Sequence, residues 1–80
     1  MSNELREEHA RRLLTDPLFN EAFETLEKNL LDSWKSSGVS ELEAREQIWL
    51  SLRLLERIRL HITSIVETGD MAKKLKEYHV

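Results

Sequence analysis

Residues 41–68 read ELEAREQIWLSLRLLERIRLHITSIVET, and this stretch decides the fold. It holds neither Gly nor Pro, and Gly69 follows it directly. Leu, Glu, Arg, Ala and Gln dominate its first two thirds, and all are strong helix formers. Ser40 followed three residues later by Glu43 has the spacing of a capping box, which satisfies two early backbone N–H groups. Glu41 and Glu43 put negative charge at the positive end of the helix dipole. The pattern predicts one continuous helix over 41–68. Its last third, Ile62 to Val66, is rich in β-branched residues and must be held by packing.

At about 100° per residue, Ile48, Leu52, Leu54, Leu55, Ile58, Ile62, Ile65 and Val66 share one face. That face spans roughly 160°, wider than the ~100° stripe that suits a single neighbour. The helix is therefore expected to touch at least two partners. Trp49 and Leu60 lie together on the opposite, mostly charged side. Their alternatives are a second contact site and apolar residues scattered singly on a surface, which are common.

Upstream, Thr15-Asp16-Pro17 is the sharpest punctuation in the chain. Pro is favoured at the first helical position, and the residue before it avoids the helical region. Asp16 is thus expected to cap a helix over 17–35. Its apolar positions, Phe19, Ala22, Phe23, Leu26, Leu30 and Trp34, form a single stripe. A weaker helix over 3–14, capped near Ser2 or Asn3, precedes it. Glu7 with Arg11 and Glu8 with Arg12 are i,i+4 pairs there, and Leu5, Ala10 and Leu13 make a thin apolar edge. Ser36 to Ser40 is a short turn in which Gly38 is expected in the left-handed conformation. So short a connection makes the flanking helices antiparallel. Leu30 should then meet Ile48, Leu26 should meet Leu52, and Phe23 should meet Leu55. Pro17 pairs with about His61, so Ile62, Ile65 and Val66 overhang the shorter helix. Burying such side chains is worth about 1.5–3 kcal/mol each. The first helix, a second copy of the chain, or both should cover them. Downstream, Gly69-Asp70 is expected to end the long helix, with a short basic helix over 71–78 carrying Lys73, Lys74 and Lys76.

The totals narrow the function. Eighty residues make one domain, 1–80, and one this small is marginal by itself. With no cysteine there is no disulfide framework and no thiolate metal site. No apolar run approaches the ~20 residues of a membrane span, and the N-terminal residues do not read as a signal peptide. A net charge of −3 is unlike the strongly basic balance of nucleic-acid-binding domains. His9, His61 and His79 have no metal-ligand partners at helical spacing, and the two glycines form no phosphate loop. The carboxylates mostly stand at ion-pair spacing with Lys or Arg, as in Glu24 with Lys28 and Glu41 with Arg45. Neither an enzyme nor a cofactor is expected. Arg53 and Arg57, with Lys73, Lys74 and Lys76, are the candidate phosphate contacts. Glu56 beside Arg53 and Arg59 weakens that reading, as does the lack of interleaved aromatics.

Asp16-Pro17-Leu18, Trp34, the segment Ala44-Arg45-Glu46 to Trp49, and Gly69 together resemble a family of small helical proteins encoded by tailed bacteriophages and prophages. The resemblance covers about residues 9–75. It implies a phage context, in the host cytoplasm or with the virion, and brings no catalytic residues. The expected fold is all-α: a long antiparallel helical hairpin with short helices at both ends, in a homodimeric bundle. The expected function is a non-enzymatic interaction or assembly module, structural, packaging-associated or accessory. Its phage or host protein partner would be met through Trp49, Leu60, Ile62, Ile65 and Val66. The alternatives are a dimeric DNA- or RNA-binding accessory protein and an inhibitor of a host protein.

Overall fold

The structure, a computed structural model, describes residues 2–78. It is all-helical: α1 (Asn3–Thr15), α2 (Pro17–Ser36) and α3 (Leu42–Tyr78), with no strand among the described residues. The Ser2 hydroxyl accepts from the Leu5 N–H at 3.2 Å and caps α1. The Asp16 carboxylate accepts from the Phe19 N–H at 2.8 Å, with Pro17 opening α2. α2 closes where the Ser37 N–H and hydroxyl both donate to the Trp34 carbonyl.

The turn into α3 differs from the sequence expectation. Gly38 is not left-handed; no described residue has a positive φ. The Ser40–Glu43 capping box does not form, and Glu41 takes over the corner. The Glu41 carbonyl accepts the first helical bond, from the Arg45 N–H, and its carboxylate folds back to accept from the Gly38 N–H at 3.0 Å. Glu41 is thereby drawn away from Arg45, whose guanidinium lies 4.1 Å over the Trp34 ring instead.

α3 does not stop at Gly69, and there is no separate helix over 71–78. A single helix of 37 residues runs through, about 55 Å long at 1.5 Å per residue. Gly69 lies where α1 crosses closest. A Cβ there would stand 2.9 Å from Glu7 Cγ and overlap the Glu7 carboxylate outright. The glycine is a point of close approach inside a helix, not a terminator. Asp70, expected with Gly69 to end the long helix, pairs with Arg11 of α1.

Both shorter helices lie along α3 in the opposite sense. Asn20 Oδ1 accepts from Arg59 at 3.5 Å, and Trp34 meets Arg45, each within one residue of the expected register. Arg59 also reaches over Phe23, and Phe23 packs on Phe19 with ring centroids 4.7 Å apart. On α1, Glu7 meets Lys73 and Arg11 meets Asp70. α1 and α2 are therefore laid end to end along one rod, jointed at Asp16. The overhang has its cover: Ile62, Ile65 and Val66 are half-buried alongside α1.

Two helices side by side enclose little. Among the described residues Ala10 (3% exposed) and Phe23 (8%) are the buried apolar side chains, and Glu7 (6%) is the buried charged one. The molecule measures 62 × 23 × 19 Å, with a radius of gyration of 17.7 Å. A compact chain of this length would have about 12 Å. Its accessible surface is 6731 Å². A folded monomer of its mass would expose about 5,000 Å².

Candidate protein-interaction surface

The joint between α1 and α3 is polar and specific. Ala10 and Gly69 are small, so the helices approach closely and Glu7 is enclosed. Its carboxylate accepts from Arg11 at 3.0 Å and from Lys73 at 3.2 Å. Arg11 reaches on to Asp70, so four side chains close a bridge from one helix to the other. The Arg11 guanidinium, then Lys73, hold the Glu7 carboxyl below its ordinary 4.5; enclosure opposes them and loses.

The flanks of α3 differ sharply in character. Its inner line, through Ile48, Leu52, Leu55, Arg59 and Val66, meets the shorter helices and is half-buried. Roughly a quarter turn round on one side, Gln47, Leu54, His61 and Thr68 alternate with Ser51, Ile58, Ile65 and Ala72. The spacing is 4-3, with large apolar side chains at Leu54, Ile58 and Ile65 and polar or small ones at the other positions, so the part suited to packing on another helix is its middle, 54–65. No Asp, Glu, Lys or Arg falls on this arc between Ala44 and Ala72. α2 continues the same side through Phe19, Ala22, Leu26 and Ser33, again without a formal charge. Leu26, Leu54 (55%) and Ile58 are exposed. Toward the other end the seam opens into a groove of about 630 Å³ between α1 and α3, where charge returns with Glu4, Arg6 and Lys76 beside Ile65, Thr68 and Ala72.

The opposite flank carries Leu42, Trp49, Leu60 and Met71 amid charged residues, all four exposed. Trp49 (54%) has the Arg53 guanidinium 5.9 Å over its ring, and Arg53 is itself paired with Glu56 at 3.0 Å.

The residues singled out from sequence thus fall into separate places. Trp49 and Leu60 share the charged flank, whereas Ile62, Ile65 and Val66 lie against α1. Of the candidate phosphate contacts, Arg53 pairs with Glu56 and Lys73 with Glu7. Arg57, Lys74 and Lys76 are exposed and make no ion pair among the described residues, but they point to three different sides of the rod. Glu56 pairs with Arg53 alone, since Arg59 is taken by Asn20 and Phe23. His9 and His61 are exposed and far apart in the chain, and His79 lies outside the described residues. Among the described residues no group of three His, Cys, Asp or Glu side chains could hold a metal, and no helix is long and apolar enough to cross a membrane.

Two features escape a reading of the sequence. The Glu7–Lys73 bridge spans most of the chain, and its signal was a glycine in an otherwise helix-forming run. The split of the wide apolar face into an inner line and an uncharged seam was present as the heptad spacing of Leu54, Ile58 and Ile65. No family model matches the chain, and no curated protein or solved structure matches it either.

Proposed function

We propose that this chain is a non-enzymatic assembly module, a helical hairpin that acts as a homodimer and docks a further protein. One observation carries the reading. The chain exposes about 1,700 Å² more than a folded monomer of its mass should. A standard protein–protein interface covers about 800 Å² per partner, and obligate ones cover more. The excess is thus the size of a permanent interface, and the exposed side chains include Leu26, Leu54, Ile58, Trp49 and Leu60.

In this reading Trp49 and Leu60 present the second contact, to a phage or host protein, and the setting is the one the phage resemblance implies: host cytoplasm or virion, in a structural, packaging-associated or accessory role. Large aromatics near an arginine are the side chains that dominate interface energies. Phosphate binding has less support, because its candidate residues are either paired or turned to different sides. Capture by the tagged chain from host or infected lysate tests the docking role. A specific protein retained by wild type and lost with Trp49→Ala supports it; the same set from both variants removes Trp49 from the contact. A gel shift on duplex DNA at two salt concentrations tests the phosphate reading, which needs salt-sensitive retardation.

A further inference from the structure

We infer that the occupant of the uncharged seam is a second copy of this chain, laid antiparallel across a two-fold axis between Leu54 and Ile58. The inference rests on the assembly reading and fixes the face, the partner and the register.

The argument is first one of charge. A two-fold interface sets residues near its axis against their own copies, so a formal charge there meets its like. Charged residues make up 34% of the chain, yet this side has none over 44–72 on α3 or 19–33 on α2. Over these spans, which flank the axis, two copies of a net-negative chain can meet without repulsion; the charges of the same side, Glu4, Arg6 and Lys76, lie at its far end. The second argument is area. Among the described residues the buried apolar side chains are Ala10 and Phe23, and the surplus surface is of obligate-dimer size. A partner needed at all times and in equal number is most simply another copy.

The heptad spacing then sets the register. In an antiparallel pair the two alternating positions of the seam pack against each other. Leu54 faces Ile58 of the other copy, Gln47 faces Ile65, and Ser51 faces His61. Small residues, Ala22 and Ala44, flank the large ones and let the helices close to the usual 8–10 Å. The result is a four-helix body in which Trp49 and Leu60 stay outside on both copies.

The chain has no cysteine, so introduced thiols report contacts cleanly. The variant Ser51→Cys/His61→Cys carries its two thiols about 15 Å apart on one helix, too far to join within a chain. Mild oxidation should convert it to a covalent dimer, whereas Trp49→Cys/Leu60→Cys should stay monomeric on a denaturing gel. Leu54→Glu/Ile58→Glu alters exposed positions and should move dissociation, with the loss of helix that accompanies it, to a protein concentration at least about a hundredfold higher. A dimeric wild type that the Glu variant leaves intact, with no Ser51–His61 cross-link, overturns the face while the assembly reading stands. A folded wild type that stays monomeric overturns both the second copy and the homodimer of the assembly reading, leaving only the docking of a further protein to the lysate capture.

Discussion

Gly69 is the residue at which two demands meet. Inside a helix an alanine would be favoured over glycine by about 0.8–1 kcal/mol. In this helix the added Cβ would run into Glu7 and push its carboxylate off Arg11 and Lys73. Gly69→Ala is therefore expected to lower stability to urea, against its propensity. In a Glu7→Ala background the same change should become stabilising, and a double-mutant cycle measures the reversal. Glu7 also has a pH signature. Its folded pKa is depressed, so its contribution is present above the ordinary 4.5 and lost as pH falls through the lower folded value. Urea midpoints followed downward from pH 5 should show wild type losing stability more steeply than Glu7→Gln. Equal slopes would mean the carboxylate does not hold α1 down. The Glu7–Arg11 half of this bridge was legible as an i,i+4 pair; the half that reaches α3 was not, because Glu7 and Lys73 are 66 positions apart and only packing brings them together.

At the level of elements, the starts of the helices were legible and some of their ends were not. Asp16-Pro17 announces α2 because a short carboxylate and a fixed φ are what a helix start requires, and the Asp16–Phe19 bond bears it out. Asp16→Ala should cost about 1 kcal/mol, read as a drop in thermal midpoint. Gly69-Asp70 misled for a physical reason. Glycine serves both as a helix terminator and as a point of close approach, and the sequence does not show which neighbour is near. Ser40 misled differently: Glu41 is long enough to reach Gly38 and closes the turn before Ser40 can cap it. α1 shows what a thin apolar edge means in practice. Ala10 seats it and the Glu7 bridge fixes it, while Leu5 and Leu13 remain exposed. Amide exchange should accordingly be faster in α1 than in the middle of α3, and Glu7→Gln should widen the gap.

For the whole molecule, the register between α2 and α3 agrees with the length of one turn, whereas the breadth of the apolar face of α3 is not filled, because α1 and α2 lie end to end along a single line of it. Which neighbour lies where did not follow. α1 takes the overhanging end, and the seam through Leu54 and Ile58 is left open along a body 62 Å long. A rod two helices thick, in which Ala10 and Phe23 are the buried apolar side chains among the described residues, lacks the burial that a stable small domain has. In the proposed dimer the second copy covers the exposed side. The most direct measurement is the mass in solution by sedimentation equilibrium, over a range of micromolar concentrations. A particle of twice the chain's 9.5 kDa, dissociating together with loss of helix, is the result expected. A folded particle of one chain's mass at every concentration would contradict it.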